Sequence, residues 1–194
     1  YLILGNVPDF LGVWIVVAIM ASLVYGWDIK NRGTSDAIAT LTGIVYIVLF
    51  PYFIVLIDGT KYRQLTWLVL ITAFGADIMA YFTGMAIGKH KMAPNLSPKK
   101  TIEGAVGGLI GSALFSALFG YFVMPEIVVK CAIIGAIGGA VSMAGDLTAS
   151  AFKRQMGIKD YGNLIPGHGG ILDRFDSVLF VAPFVYYFSV FVLQ

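Results

Sequence analysis

Charged residues and cysteine are both scarce in this chain of 194 residues. Asp, Glu, Lys and Arg together make up 12% of it, whereas soluble domains carry about 25%. Apolar residues make up 58%, so we expect an integral membrane protein. The single cysteine, Cys131, excludes an intrachain disulfide and a multi-cysteine metal site. The formal net charge of +2 identifies no partner by itself, and we expect no nucleic acid among the partners.

Six apolar runs approach the roughly 20 residues that a transmembrane helix needs. Because they are continuously apolar rather than alternating, helices are favoured over a barrel. We predict an all-α integral membrane protein, a polytopic bundle of about six transmembrane helices in one domain over residues 1–194. Residues 1–64 carry no motif, and residues 65–194 carry the catalytic helices and loops. The predicted spans are Phe10–Trp27, Ala37–Ile57, Leu65–Gly88, Gly104–Met124, Ile127–Gly145 and Ser177–Leu193.

Basic residues mark two of the predicted loops. They are Lys89, His90, Lys91, Lys99 and Lys100 after the third span, and Lys153, Arg154 and Lys159 after the fifth. Lys and Arg are retained on the cytoplasmic side of a membrane, so both loops are predicted to be cytoplasmic. The loop with Lys61 and Arg63 argues weakly against this topology. We expect a multi-pass protein of the cell (inner) membrane whose active site lies at the cytoplasmic face.

Four carboxylates lie within a predicted span or at the end of one. Asp77 falls near the middle of the third span, where a charge costs at least about 2.5–3.5 kcal/mol. It is expected to face a cavity or a partner, although a structural hydrogen bond to a neighbouring helix is the alternative. Asp146 closes the fifth span, and Asp173 and Asp176 open the last one. Their i, i+3 spacing places both on one helical face, while Arg174 should point elsewhere.

Such carboxylates suit a hard divalent cation. Mg²⁺ takes carboxylate oxygens and fills its remaining positions with water or substrate phosphates. Asp146, Asp173 and Asp176 are therefore the candidate metal ligands. Capping by Asp173 in the first turn of a helix is the alternative, since a carboxylate there favours the helix dipole without a metal.

A glycine-rich segment, residues 166–170, precedes the last span. Its glycines permit positive φ and let backbone N–H groups converge on an anion. The helix that begins near Leu172 would add its positive end. His168 could donate to a phosphate oxygen or act as an acid, or it could be a loop histidine with a backbone partner. His90 is expected to be a surface residue.

A second polar segment, residues 97–104, precedes the fourth span. Pro98 breaks helix, and Thr101 or Ser97 could cap the helix that follows. Lys99 and Lys100 either bind phosphate or anchor the helix end at anionic headgroups.

At these positions the chain resembles the phosphatidate cytidylyltransferase family, also called CDP-diacylglycerol synthase. The family signature runs Ser, Lys-Arg, Lys-Asp, Pro-x-His-Gly-Gly and Asp-Arg-x-Asp. The matching residues are Ser150, Lys153, Arg154, Lys159, Asp160, Pro166, His168, Gly169, Gly170, Asp173, Arg174 and Asp176. Further likeness lies at Asp77 to Gly84, at residues 97–104 and at Gly145-Asp146. The resemblance covers the chain from about Asp77 onward, and family members usually have further N-terminal spans.

The resemblance implies that CMP passes from CTP to phosphatidate, giving CDP-diacylglycerol and pyrophosphate. It implies Mg²⁺, possible use of a second, monovalent cation such as K⁺, surrounding membrane lipids and a homodimer. With the residue patterns above it gives these catalytic candidates: Asp146, Lys153, Arg154, Lys159, His168, Asp173 and Asp176. The substrate-binding candidates are Asp77, Ser97, Lys99, Lys100, Ser150, Asp160, Gly167, Gly169, Gly170 and Arg174.

Three other functions stay open at this point. A cytidylyltransferase for another lipid phosphate, such as an archaeal ether lipid, would need the same polar residues. A CDP-alcohol phosphotransferase also uses membrane carboxylates and metal, but its Asp-Gly…Ala-Arg…Gly…Asp…Asp pattern is absent from the sequence. A transporter with Asp77 at its coupling site would have little use for a glycine-rich loop ringed by lysines.

Overall fold

The computed structural model describes residues 7–25, 33–164 and 169–193. Helix α1 is Val7–Tyr25, α2 is Thr34–Ile44 and α3 is Phe50–Asp58, with a π-helical turn, Val45–Leu49, joining α2 to α3. Helix α4 is Leu65–Ile87, and strands β1 (Lys91–Ala93) and β2 (Ser97–Thr101) follow it. Helix α5 is Ile102–Val123, α6 is Val128–Gln155 after a 3-10 turn at Pro125–Ile127, and α7 is Leu172–Val192.

Long apolar helices dominate the described residues. Five segments are long and apolar enough to cross a membrane: Thr34–Asp58, Leu65–Ile87, Ile102–Val123, Pro125–Gln155 and Leu172–Val192. The prediction of an α-helical membrane protein is thereby confirmed. The predicted span Phe10–Trp27 overlaps α1, and the count of six spans stays a prediction, as do the cytoplasmic face and the inner membrane.

One local prediction was wrong, and one short element was not predicted. Strands β1 and β2 form an antiparallel hairpin in which Lys91 pairs with Thr101. The fifth predicted span was expected to end at Gly145, but the helix that forms there, α6, runs on to Gln155. Lys153 and Arg154 therefore lie in the last turn of α6 rather than in a loop. Cations in a last turn are favoured by the partial negative charge of the helix C-terminus.

The chain divides into two compact units, Tyr1–Tyr52 and Phe53–Gln194. Every residue of the predicted motifs belongs to the second unit. The prediction of a single domain over residues 1–194 stays a prediction.

In the second unit, four helices run antiparallel and bring their polar ends together. The hairpin joins the end of α4 to the start of α5. The last turn of α6 contacts the first turn of α7, since Lys153 Nζ lies 2.7 Å from Asp173 Oδ1. At the opposite end, Lys130 Nζ donates to the Val192 carbonyl oxygen at 2.9 Å. The hairpin and the starts of α5 and α7 therefore lie at the same end as the finish of α4 and α6.

Small and hydroxylated residues allow these helices to pack closely. A methyl group on Gly104 would lie 2.7 Å from the Ala80 carbonyl oxygen, so α4 and α5 approach at backbone distance. Deeper in the unit, Ser112 Oγ donates to the Thr72 carbonyl oxygen at 3.0 Å, and Thr72 Oγ1 lies 3.2 Å from Ser116 Oγ. Small residues at helix interfaces are what association in lipid requires.

Substitution of Gly145 by alanine is expected to destabilise the second unit by about 1–3 kcal/mol, because overpacking has that cost. The added methyl would lie 2.9 Å from the Asp176 carbonyl oxygen and 3.1 Å from the Phe180 side chain, so α7 must shift. Thermal unfolding in detergent measures the effect. Gly43→Ala is the control, since nothing lies within 4 Å of a methyl there. Equal stability of the two variants would contradict the packing argument.

Candidate active site

A pocket of about 630 Å³ lies at the hairpin end of the second unit. It is lined by four carboxylates, three lysines and an arginine: Asp77, Asp146, Asp173, Asp176, Lys99, Lys100, Lys153 and Arg174. Phe74, Ile78, Tyr81 and Met85 of α4 also line it, and each of these four is exposed on the helix surface. The pocket thus has a strongly polar interior and an apolar flank.

The pocket reaches well into the helices. Asp77 lies ten residues before the end of α4 at Ile87, which is roughly 15 Å along the helix axis. The expectation that Asp77 faces a cavity is therefore met. Tyr81, four residues further along α4, lines the same pocket and is 66% exposed.

Asp173 is held by three donors. Lys153 Nζ lies 2.7 Å from Oδ1, and the backbone N–H groups of Tyr161 and Gly170 donate to Oδ2 at 2.8 and 2.9 Å. Its side chain is 5% exposed. Asp173 lies in the first turn of α7, and the bond from Gly170, three residues earlier, ties the preceding loop to that turn. Gly169 has φ of +80°, and a methyl there would lie 2.9 Å from Asp173 Oδ2.

Substitution of Asp173 by asparagine is expected to lower the free energy of unfolding by about 1.5–3 kcal/mol, the contribution of hydrogen bonds to a charged group. An amide removes the charge that Lys153 faces and offers only one acceptor oxygen to three donors. Urea or thermal unfolding in detergent checks this. Asp160→Asn, in the same loop and exposed, should leave stability unchanged. A stable Asp173→Asn protein would show that the loop is fixed by other contacts.

Asp146 is paired with a lysine from the hairpin. Lys100 Nζ forms an ion pair with Asp146 Oδ2, and Ser150 Oγ donates to Oδ1 at 3.4 Å. Lys100 lies on β2, so the hairpin places this cation in the lining of the pocket. The hairpin is itself fixed by Thr101, whose hydroxyl accepts the Gly104 N–H at 3.1 Å and caps α5 as predicted.

Asp77 and Asp176 are joined by a serine. Ser177 Oγ donates to Asp77 Oδ2 at 3.2 Å, while Asp176 Oδ1 accepts the Ser177 N–H at 2.7 Å. Asp176 and Ser177 are 6% and 1% exposed. Sequence reasoning missed Ser177. Its only signal is its position directly after Asp176, because the partner Asp77 lies 100 residues away.

Tyr161 fastens the loop between α6 and α7 to α6. Its hydroxyl donates to the Ala149 carbonyl oxygen at 3.3 Å, and its ring centroid lies 5.3 Å from Lys153 Nζ. Partial burial, and then the nearby charges of Asp173 and Asp176, raise the pKa of the Tyr161 phenol. The hydroxyl therefore stays protonated at neutral pH and can donate. Sequence reasoning did not single out this residue either.

The remaining predicted residues divide into three groups. Arg174 lines the pocket, and the expectation that it points away from Asp173 and Asp176 stays a prediction. Ser97, Arg154, Lys159 and Asp160 are not among the pocket-lining residues in the described part of the chain, although Arg154 Nε donates to the Leu96 carbonyl oxygen at 3.5 Å. Gly167 and His168 lie outside the described residues.

His90 is a surface residue as expected, with its side chain 75% exposed, and it pairs with Glu103. Its Nδ1 lies 2.6 Å from Glu103 Oε1, and Glu103 also accepts the backbone N–H groups of Lys89 and His90. Glu103 thus ties the end of α4 to the first turn of α5 and closes the base of the hairpin.

The pocket suits a metal that is held mainly by substrate. In the described residues, no three His, Cys, Asp or Glu side chains lie close enough together to hold an ion among them. Asp146 and Asp176 still line the same pocket. Mg²⁺ usually takes one or two carboxylates and completes its shell with water and phosphates. The residues therefore fit Mg²⁺ through one or two carboxylates, with Asp173 already occupied by its own donors.

Fold and site together define a helical membrane protein with a pocket lined by lysines, an arginine and carboxylates beside an apolar surface. The chain belongs to the cytidylyltransferase family, whose model matches residues 2–192.

Named relatives agree with that assignment. The phosphatidate cytidylyltransferase of Bacillus subtilis (strain 168) is 38% identical over 175 residues, which are 88% of this chain and 65% of the relative. The one from Staphylococcus aureus (strain COL) is 37% identical over 194 residues, covering 94% of this chain and 74% of the relative. The one from Synechocystis sp. is 48% identical over 131 residues, 65% of this chain. This chain spans 44% of the Synechocystis protein's length.

Proposed function

We propose that this protein transfers CMP from CTP to phosphatidate, forming CDP-diacylglycerol and pyrophosphate in phospholipid synthesis. The observation that carries the proposal is one pocket in which Lys100 and Lys153 lie among four carboxylates beside an apolar flank. The relatives described above all carry the name of this activity. None of the three is named for an ether lipid, so the alternative substrate has no specific support.

The chemistry needs charge neutralisation more than proton transfer. The phosphate of phosphatidate is already an anion at neutral pH, so it can attack the α-phosphate of CTP without a strong base. The barrier lies in bringing two polyanions together, which positioning and preorganised charge can lower. Among the described cations that line the pocket, Lys100 and Lys153 are the least exposed. Their side chains are 22% and 12% exposed. Each can exchange its carboxylate partner for a phosphate oxygen.

The apolar flank fits the lipid substrate. Ile78, Tyr81 and Met85 of α4 are 50–66% exposed and line the same pocket as Lys100. In a membrane this surface faces acyl chains, so a lipid phosphate can enter the polar interior while its chains stay beside α4. CTP would then approach from the aqueous end, at the hairpin.

Mg²⁺ is the proposed cofactor. Asp146 and Asp176 would hold it. Asp173 could join them only when Lys153 no longer pairs with the Asp173 carboxylate. When bound it would neutralise phosphate charge and stabilise departing pyrophosphate. We also propose a second, monovalent cation near Asp77, a site at the cytoplasmic face and a homodimer.

Purified protein in nanodiscs tests the proposal directly. Protein, Mg²⁺ and phosphatidate are mixed with each nucleoside triphosphate in turn, including dCTP, and pyrophosphate release is followed. The proposal expects pyrophosphate and a CDP-lipid only with a cytidine nucleotide. An ether-lipid phosphate is assayed in parallel. Absence of lipid-dependent pyrophosphate with CTP would refute the proposed activity.

A further inference from the structure

Lys153 has two neighbours of different character. Its ammonium lies 2.7 Å from Asp173 Oδ1 and 5.3 Å from the centre of the Tyr161 ring. A phosphate can take the place of Asp173 as the anionic partner. It cannot replace the ring, whose attraction for a cation comes from its electron-rich face.

The ring is fixed to both helices that form this side of the pocket. Its hydroxyl donates to the Ala149 carbonyl oxygen on α6, and its backbone N–H donates to Asp173 on α7. Ala149 lies four residues before Lys153 and so on the same face of α6. Tyr161 therefore covers the side of α6 from which the Lys153 side chain extends. Tyr161 itself is not among the described residues that line the pocket.

We propose, on the basis of the proposed function, that Tyr161 is a positioning residue for CMP transfer: its ring keeps the Lys153 ammonium in the pocket while the lysine exchanges Asp173 for a substrate phosphate. Without the ring, a lysine released from Asp173 regains the freedom of its four-carbon side chain. Its charge is then less often where the reacting phosphate needs it. The effect belongs to turnover rather than to nucleotide capture, because Lys99, Lys100 and Arg174 still line the pocket.

Two variants separate the ring from the hydroxyl. Tyr161→Phe keeps the ring and loses only the bond to Ala149, so its kcat should stay close to that of the unmodified protein. Tyr161→Leu removes the ring, and its kcat should fall about 2- to 30-fold, with KM for CTP little changed. Tyr121→Leu is the control, since that tyrosine is 65% exposed on α5. Equal kcat values for the Phe and Leu variants, whether high or low, would overturn the proposal.

Chemical labelling of Lys153 tests the proposal without measuring CMP transfer. Without substrates, an amine-reactive label followed by mass spectrometry reports how accessible Lys153 is, with Lys130 as the internal reference. Lys153 should label faster in Tyr161→Leu than in the Phe variant and the unmodified protein. If labelling is the same in all three, the ring does not confine the lysine and the proposal fails. If the unmodified protein transfers no CMP, the proposed function fails, and labelling still decides whether Tyr161 holds Lys153.

Discussion

Replacing Asp176 with asparagine is expected to slow CMP transfer by about a hundred- to a thousandfold, the usual cost of removing one group that stabilises transition-state charge. Asp176 is 6% exposed and lines the pocket together with Asp146. Unlike Asp146 and Asp173, it has no lysine within ion-pair distance in the described residues. Of the three candidate metal ligands, it is therefore the one most available to a divalent cation, and the substitution removes that charge.

The fold should survive the same substitution. Asparagine keeps a carbonyl oxygen that can accept the Ser177 N–H, now at 2.7 Å from Asp176 Oδ1. Initial rates and thermal unfolding in the same detergent separate the two effects. Glu126→Gln is the matched control, because Glu126 lies in the 3-10 turn before α6, away from the pocket. Near-normal turnover of Asp176→Asn would remove this carboxylate from the proposed metal site.

Hydropathy and motif spacing were enough to predict the helices and the grouping of the main charges. Each observed long helix overlaps a predicted span, because a run of apolar residues long enough for the membrane is a strong signal. Asp146 and the pair Asp173 and Asp176 do line one pocket, as their placement next to predicted helix ends suggested. Their roles as metal ligands stay predictions.

Helix ends and the hairpin could not be read from hydropathy. The apolar signal of α6 fades at Gly145, yet the residues that follow include good helix formers such as Ala, Lys, Arg and Gln. The helix therefore continues for almost three turns as a polar helix. In the hairpin, Pro94 and Asn95 are turn residues, but three- and five-residue strands are too short to show alternation.

The lysine–carboxylate pairing was also hidden from the sequence. Lys100 was predicted to bind phosphate or to anchor a helix end, and Lys153 was a catalytic candidate. Their partners in the structure lie 46 and 20 residues away in the chain. Such pairs depend on the packing of separate helices, as do the contacts of Ser177 and Tyr161. A local pattern gives the residue types of this site, whereas only the tertiary structure shows which charges already have partners.

Replacing Lys100 with methionine is expected to tighten Mg²⁺ binding while it slows turnover. The Lys100 ammonium and a divalent cation compete for Asp146, so removing the ammonium should lower the apparent Kd for Mg²⁺ by about tenfold, equivalent to about 1.4 kcal/mol. The same substitution removes a cation proposed to meet a phosphate, and kcat should fall about a hundredfold or more. Methionine keeps a long unbranched side chain, which limits the change in packing.

Lys100→Met is expected to improve Mg²⁺ affinity and to reduce turnover, and the two effects are measured separately. Mg²⁺ titration followed by thermal stability, without nucleotide, gives the affinity, and initial rates at saturating Mg²⁺ give kcat. Lys91→Met is the control, because Lys91 is an exposed lysine on β1 that does not line the pocket. A general disturbance of the hairpin would weaken both binding and turnover. Slower turnover with unchanged Mg²⁺ affinity would mean that Lys100 serves the phosphate alone and that Asp146 is not a ligand. Only exchange of the ammonium for the metal at Asp146 moves the two measurements in opposite directions.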